Sequence, residues 1–209
     1  MNQLDYLPIS MLNQLEYCER RFWYMFVQSE MEINAPVLDG TLRHERAHTA
    51  GTERTADSIT RRRVYVYSQR LRLVGFVDLV EEKDGRIYPV EYKRGRMGRW
   101  LNDHIQLCAQ ALCLEEKLHP EPFDGTQDRR VEGLDDTIEQ GYIFYFGSRR
   151  RVPVQFTPEL RERTLASIDR AFDLLARGQI PPPIDNYRKC RDCSLEPICL
   201  PKEVRRLVG

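Results

Sequence analysis

The sequence predicts one α/β domain that carries a cysteine-bearing appendage, and three observations support this fold class. The chain has 209 residues, which is enough for one domain with a sizeable core. Helical and strand patterns follow one another in the order α, α, β, β, β, α, β, β, α. Beyond the prolines at 181–183 the chain is rich in charges and cysteines and has too few apolar residues for a core of its own.

The first two expected elements are helices. An apolar stripe predicts a helix over about residues 11–27, with Ser10 as its N-cap. A second helix is expected after Gly40, over residues 41–48. The polar residues 51–58 that follow indicate a loop.

Three strands come next, and the last two of them form a hairpin. The dipeptide Asp84-Gly85 between two apolar runs is a strong signal for a two-residue turn. Both faces of the middle strand are apolar, so we expect this strand inside a covered sheet. The three strands are predicted over residues 63–68, 71–82 and 86–93.

The second half of the chain predicts a further hairpin between two helices. Thr157 and Pro158 are typical of an N-cap and the first helical position, and Gly178 is typical of a helix end. We therefore expect the last helix to run to about residue 177. The elements before it are a helix, a Pro- and Gly-rich excursion or flexible loop, and the two strands of the hairpin, at residues 103–118, 120–136, 142–146 and 152–156.

The composition is that of a globular protein and leaves the ligand open. Hydrophobic residues make up 41% of the chain and charged residues 31%. The 32 basic residues balance the 32 acidic ones, so net charge does not indicate a nucleic-acid ligand. A DNA-binding surface would have to come from local arginine runs, which also occur on ordinary solvated surfaces; they lie at 61–63, 94–99, 149–151 and 205–206.

The N-terminal sequence MNQLDYLPIS has no basic segment followed by an apolar one, so we expect no signal peptide. No apolar run approaches the ~18 residues that span a bilayer. We therefore expect a cytoplasmic protein without a membrane partner. In that reducing compartment the six cysteines indicate metal ligands or reactive thiols rather than disulfides.

The tight turn fixes the register of the first hairpin and brings two acidic residues together. In that register Asp78 lies opposite Glu91, with Cβ atoms roughly 4.5–5.5 Å apart on one face of the sheet. Two carboxylates so close repel, and a divalent cation with oxygen ligands compensates them. Lys93 lies two residues after Glu91 and therefore faces the same side. An exposed ion pair with Lys93 is the simpler alternative, but the apolar neighbours of both acids indicate burial, where unpaired carboxylates are costly.

These parts suit phosphodiester cleavage, because a cation activates water and neutralises phosphate while a lysine orients the nucleophile or steadies developing charge. The backbone carbonyl of Tyr92 could also reach the ion, as could the imidazole of His44 on the second helix. His48, one turn later on the same face, is the competing candidate. Gln106 and Gln110 share one face of the next helix, where their amides either hold the lysine or a phosphate or form an exposed polar surface.

Soft-metal coordination is expected at the C-x2-C-x5-C cluster near the C-terminus, formed by Cys190, Cys193 and Cys199. Cys18 is the best fourth ligand because its neighbours are polar. Cys108 and Cys113 lie in an apolar helix and are expected in the core. Four thiolates fit either zinc or an iron–sulfur cluster, and the spacing does not decide between them. Either would join residue 18 to the tail and so have a primarily structural role.

Together these motifs, in this order, resemble the RecB-like branch of the PD-(D/E)XK nucleases. The motifs are G-x3-H-E at 40–45, G-x2-D at 75–78, E-x-K at 91–93 and a helix that carries Gln106. One cysteine before this core and three after it is similar to the iron–sulfur members. The short length and the sequence GTLRHERAH are most similar to the CRISPR-associated exonuclease of the spacer-acquisition module. The resemblance spans nearly the whole chain, from about residue 18 to residue 199.

The resemblance implies a restriction-endonuclease-like core, with a mixed central sheet flanked by helices, over residues 1–209. Residues 1–30 and 180–209 would form an appendage in which the four cysteines hold a [4Fe–4S] cluster. Mn²⁺ or Mg²⁺ would serve catalysis, and the residues implied at that site are the ligands His44, Asp78, Glu91 and the Tyr92 carbonyl, with Lys93 and Gln106 as further catalytic residues. Family members often carry tyrosine four residues after the motif glutamine, and Gln110 stands there instead, which leaves its role open.

In functional terms the resemblance implies a nuclease that trims single-stranded DNA or prespacer overhangs and works with the CRISPR integrase complex. An exonuclease of DNA repair is the closest enzymatic alternative. Two alternatives belong to other classes: a DNA-binding module that docks on an integrase without needing cleavage, and a zinc-stapled structural protein that does not bind DNA. The intact set of Asp78, Glu91 and Lys93 favours an enzyme, because a binding module has no need of all three.

Overall fold

A mixed sheet with helices packed against it forms the core, so the predicted α/β class is confirmed. The computed structural model describes residues 6–30, 51–97, 101–118 and 137–208. The expected helix at 41–48 and the expected excursion at 120–136 lie outside these residues.

Seven described strands make up the sheet. They are β1 (Leu7–Pro8), β2 (Gly51–Arg54), β3 (Ser58–Ser68), β4 (Leu73–Lys83), β5 (Arg86–Lys93), β6 (Gln140–Tyr145) and β7 (Arg150–Gln155). Neighbours lie in the order β2-β3-β4-β5-β6-β7, and β1 pairs with the start of β4. The pairs β1–β4 and β5–β6 are parallel and the others are antiparallel.

The helices fall into a group that covers the sheet and a group in the C-terminal tail. In the part of the chain that the structure describes they are α1 (Ile9–Tyr17), α2 (Glu19–Phe26), α3 (Leu101–Leu118), α4 (Pro158–Arg177), α5 (Tyr187–Arg191), α6 (Glu196–Cys199) and α7 (Pro201–Val208). The core cluster joins apolar residues of the sheet to those of α1, α3 and α4. None of the described helices is both long and apolar enough to span a bilayer.

Close packing of α1 on the sheet depends on Gly75 in β4. A Cβ atom at this position would lie 3.3 Å from side-chain atoms of Ile9, closer than ordinary contact. The glycine of the G-x2-D motif therefore lets the start of α1 lie directly against β4, three residues before Asp78.

The hairpin and the last helix follow the sequence prediction closely. Asp84 and Gly85 have φ angles of 51° and 70°, the positive values that a type I′ turn requires. The Thr157 side chain accepts a hydrogen bond from the backbone N–H of Leu160, and Gly178 ends α4 with φ 64°. Cys108 and Cys113 are fully buried, as expected.

The prediction of a single helix over residues 11–27 is wrong, because the helix is interrupted at Cys18. Cys18 has extended backbone angles, φ −170° and ψ 125°, and separates α1 from α2. The first helix also begins at Ile9 after Pro8, so Ser10 lies inside it and is not the N-cap. An apolar stripe continues across such a break and therefore cannot reveal it.

The loop predicted over residues 51–58 contains β2, and β3 begins at Ser58 instead of residue 63. These segments are polar, and an ion pair joins the two strands. Arg62 Nη2 lies 3.0 Å from Glu53 Oε1. A polar edge strand has no apolar alternation, which is why the sequence pattern missed it.

The prediction that β4 is covered on both faces holds for residues 77–80, which are all buried, and is wrong at Phe76. Phe76 is 46% exposed, and it packs against the ring of Tyr65 with centroids 5.4 Å apart. Tyr67 is exposed on the same side, 6.3 Å from Tyr65. The aromatic residues on the outer face of β3 and β4 thus produce the sequence pattern of a buried face, although these side chains are exposed.

Candidate active site

Strands β4 and β5 separate at the two acidic residues that were expected to face one another. Their pairing runs from the turn to Leu79 opposite Val90 and stops there. Asp78 and Glu91 are the next residues in the predicted register, so they lie just beyond the paired ladder and are not ladder partners. Beyond this point Asp78 Oδ2 accepts a hydrogen bond of 2.8 Å from the backbone N–H of Tyr92.

An irregularity in β3 and β4 accompanies this separation. Val77 and Val80 both belong to the core cluster, so the strict alternation of faces breaks between them. In β3, Arg63 has φ 52°, and no Cα pairing joins it to Asp78 although the positions on either side are paired. The register is the same on both sides of this position, so neither strand carries an extra residue and the distortion is local. Here the irregularity allows both Val80 and Asp78 to be buried.

Asp78 and Glu91 form a buried acidic pair. Their exposed fractions are 6% and 5%, and the two carboxyl groups are in hydrogen-bond contact. Burial and the charge of Glu91 raise the pKa of Asp78 from 3.8 to about 8, partly offset by the Tyr92 N–H and by Lys93. Two buried carboxylates this close repel each other when both are ionised, and a divalent cation compensates that repulsion. The pair is therefore a donor set that fits such a cation.

Two glutamines of α3 hold the carboxylate of Glu91. Gln106 Nε2 donates to Oε1 and Gln110 Nε2 donates to Oε2, each over 2.7 Å. Gln110 is only 1% exposed and also donates to the carbonyl of Phe76, so the alternative of an exposed polar helix face is wrong for it. Its Oε1 atom is buried and has no hydrogen-bond partner among the described residues.

Lys93 lies at the junction of β5 and α3. Its Nζ donates to Gln106 Oε1 over 2.8 Å and lies 3.1 Å from Glu91 Oε1 and 3.5 Å from Asp103 Oδ1. Burial opposes the charge, but the two carboxylates outweigh it and raise the pKa of the ammonium. The side chain as a whole remains 19% exposed.

Asp103 also belongs to the site, although the sequence did not predict it. It lies in the first turn of α3, three residues before Gln106, and therefore on the same helix face. That i, i+3 spacing was the available signal. The face that packs on the hairpin could not be identified from the sequence alone, so Asp103 resembled an ordinary acidic residue at a helix start.

Of the other expected ligands, His44 and the alternative His48 lie outside the described residues. Tyr92 follows Glu91 on β5, and its backbone N–H is engaged by Asp78. Within residues 6–30, 51–97, 101–118 and 137–208, no three His, Cys, Asp or Glu side chains form an arrangement ready to hold a metal ion.

The four expected cluster cysteines line one cavity between the N-terminal helices and the tail. The lining of this cavity also includes Tyr17, Arg21 and Leu195. Burial is the largest cause of the raised pKa values of the Cys190 and Cys199 thiols. The neighbouring thiols also raise these pKa values.

Two arginines of α2 contact the sulfur atoms of this cavity. Arg20 Nε donates to Cys199 Sγ over 3.3 Å, and Arg21 Nη1 donates to Cys193 Sγ over 3.1 Å. Arg20 is 6% exposed, and a buried guanidinium needs an anionic or polar partner. Four thiols with two cationic donors are a donor set that fits a soft metal or a metal–sulfur cluster.

Comparison with known proteins gives one family match and several relatives. A family model described as the PD-(D/E)XK nuclease superfamily matches residues 10–200. A CRISPR-associated exonuclease Cas4/endonuclease Cas1 fusion of Geobacter sulfurreducens is 39% identical over 96% of this chain and 35% of the fusion. A CRISPR-associated exonuclease Cas4 of Rhodospirillum rubrum is 30% identical over 95% of this chain and 58% of that protein.

A CRISPR-associated exonuclease Cas4 of Francisella tularensis subsp. novicida is 22% identical, over 92% of this chain and 93% of that protein. The chain thus spans about a third of the length of the similar fusion protein from Geobacter sulfurreducens. The matched family model includes the acidic pair, Lys93 and the four cysteines of the thiol cavity.

Proposed function

Because this chain belongs to the PD-(D/E)XK nuclease superfamily, we propose that it is a metal-dependent DNA nuclease that trims single-stranded DNA or prespacer overhangs during CRISPR spacer acquisition. The relatives named CRISPR-associated exonucleases support the biological setting. The observation that carries the proposal is the buried acidic pair, with the ammonium of Lys93 3.1 Å from Glu91.

Each of these side chains has a role in the proposed reaction. Asp78 and Glu91 would bind the cation, together with the Tyr92 carbonyl and His44 as implied by the family resemblance. Bound Mn²⁺ or Mg²⁺ supplies an activated water and neutralises charge on the phosphate. Lys93 donates hydrogen bonds to the attacking water or to the phosphate oxygens, and Gln106 holds both Lys93 and Glu91 in place.

The thiol cavity is proposed to hold a [4Fe–4S] cluster on Cys18, Cys190, Cys193 and Cys199. The chemistry of four thiols beside two arginine donors supports this assignment. Residues 1–30 and 180–209 would then act as an appendage that the cluster ties together, within a single nuclease domain over residues 1–209.

The proposed partners are DNA and a CRISPR integrase. Several similar proteins are named as fusions to the endonuclease Cas1, which supports a working contact between the two activities. We further propose that the protein works in the cytoplasm, where prespacers are processed.

The test is cleavage of a fluorescently labelled single-stranded oligonucleotide by anaerobically purified protein, with Mn²⁺ or with EDTA. We expect cleavage only with the metal, and a loss of about 100-fold or more in Asp78→Asn and Lys93→Met. Lys83→Met is the matched control, since Lys83 is an exposed lysine on the same hairpin.

A blunt duplex and a duplex with single-stranded overhangs complete the assay. Trimming that stops at the duplex supports the proposed substrate. Equal digestion of the blunt duplex would overturn the single-strand preference. Metal-dependent DNA binding with no cleavage by wild-type protein would instead favour the DNA-binding module.

A further inference from the structure

Asp103 is a third buried carboxylate beside the acidic pair. It is 7% exposed, and its Oδ1 atom lies 3.5 Å from Nζ of Lys93. We propose that Asp103 is a positioning residue, which fixes the ammonium of Lys93 next to Glu91. The inference rests on the proposed function, because it assigns Asp103 a role through the lysine of that site.

Both oxygens of Asp103 are held by neutral donors from other elements. Asn13 Nδ2, on α1, donates to Oδ1 over 2.8 Å, and the hydroxyl of Tyr145, on β6, donates to Oδ2 over 3.2 Å. Asn13 is in turn held by Asn102, whose Nδ2 donates to its Oδ1 over 3.1 Å. These donors therefore hold the Asp103 carboxylate in place from two sides, independently of Lys93.

The geometry around Lys93 explains why a third acceptor matters. Its other two acceptors, Glu91 and Gln106, are hydrogen-bonded to each other and so act as one unit. A lysine side chain carries about 2 kcal/mol of rotamer entropy. Held by one unit alone, the end of this partly exposed side chain is free to rotate about that contact. Asp103 supplies an independent anchor from the start of α3.

A purely structural role is the alternative. An acidic residue in the first turn stabilises a helix through the dipole, and removal of Asp103 would then lower stability without changing catalysis by the folded protein. The two roles differ in kcat, because a misplaced lysine slows the reaction even when the protein is fully folded.

The first test compares Asp103→Ala with Asp103→Asn in single-stranded DNA cleavage with Mn²⁺. The asparagine can keep the shape and accept hydrogen bonds through its amide oxygen, whereas the alanine removes every contact. We expect kcat to fall by about 10- to 100-fold in the alanine variant and by less in the asparagine variant. The KM for DNA and the Kd for Mn²⁺ are expected to stay within about twofold, because Asp103 acts through Lys93, which is not a ligand of the proposed metal site.

If the alanine variant does not fold, the asparagine variant and Tyr145→Phe, which removes one hydrogen bond to Asp103, decide the question. Folding is checked by circular dichroism and thermal unfolding. Wild-type kcat in the folded variants, with reduced stability alone, overturns the proposal in favour of the structural role.

The second test is a double-mutant cycle with Lys93→Met. If Asp103 acts through Lys93, then Asp103→Asn causes no further loss in the Lys93→Met background. An equal loss in both backgrounds overturns the proposal. Wild-type activity of Lys93→Met itself would overturn the proposed function instead, so the two failures are distinguishable.

Discussion

At the level of single residues, the site combines the buried carboxyl groups of Asp78 and Glu91 with the ammonium of Lys93, 3.1 Å from Glu91 Oε1. The Asp-Gly turn and a period of two were sufficient to bring Asp78, Glu91 and Lys93 near one another. The roles of Asp103 and Gln110 could be assigned only from the structure, since they depend on which face of α3 packs against the hairpin. The break in strand pairing at Asp78 also depends on long-range packing and leaves no local signal.

Burial of Asp78 predicts an unusual dependence of stability on pH in the metal-free protein. Folding raises the pKa of this carboxyl from 3.8 to about 8, chiefly through burial and then through Glu91. The unfolded chain therefore releases the proton at lower pH than the folded protein does. The stabilising contribution is fully present below about pH 4 and is lost as pH rises through about 8.

We therefore expect Asp78→Asn to be more stable than wild type at pH 8 in EDTA, by more than about 1 kcal/mol. At pH 4 the difference should be small. Urea unfolding at both pH values measures it, with the exposed Asp169→Asn as the control. A difference that does not change with pH would contradict the assignment of this pKa shift.

Gln110 is expected to tune metal affinity through Glu91. Gln110→Leu removes the 2.7 Å hydrogen bond to Glu91 Oε2 and leaves that oxygen without this donor. Because groups behind metal ligands typically contribute 10- to 100-fold to affinity, we expect Mn²⁺ to bind about tenfold more weakly. Calorimetric titration tests this, and Gln155→Leu, at an exposed glutamine, should bind as wild type does.

At the scale of secondary-structure elements, local signals predict some boundaries and fail at others. Thr157, Pro158 and Gly178 mark α4 correctly because capping is a local interaction. The break between α1 and α2 at Cys18 is different, since that residue contributes to a cavity whose other thiols lie more than 170 residues later. No local pattern carries that information.

The turn between β4 and β5 can be tested as an element. Gly85→Ala should destabilise the protein by about 1 kcal/mol, because φ 70° is unfavourable for a residue with a Cβ atom. Asp84→Asn should be neutral within about 0.5 kcal/mol, since asparagine tolerates positive φ. Denaturant midpoints measure both, and equal midpoints for the two variants would argue against a type I′ turn.

At the scale of the whole molecule, the N-terminal helices and the tail meet around the thiol cavity. The hydroxyl of Tyr17 donates to the carbonyl of Lys189, and Arg20 donates to the carbonyl of Pro181. The sequence predicted this association from the number and neighbourhood of the cysteines. The three short helices that shape the tail were not predicted, because so few residues give no clear periodicity.

Loss of one cluster ligand should therefore affect the entire protein. We expect Cys193→Ser to lose the visible absorption of the proposed cluster and to lower Tm by about 5 °C or more, because the two chain ends are no longer joined. Absorption spectra and scanning calorimetry measure these changes. Cys113→Ala, at a buried cysteine outside the cavity, should keep the absorption. Unchanged absorption in Cys193→Ser would rule out its role as a ligand.

A Mn²⁺ titration followed by electron paramagnetic resonance tests whether the buried pair of Asp78 and Glu91 binds a divalent cation. We expect a tightly bound Mn²⁺ ion in the wild-type protein that is absent from both Asp78→Asn and Glu91→Gln. The same bound Mn²⁺ in either variant, or none in the wild type, would contradict this expectation.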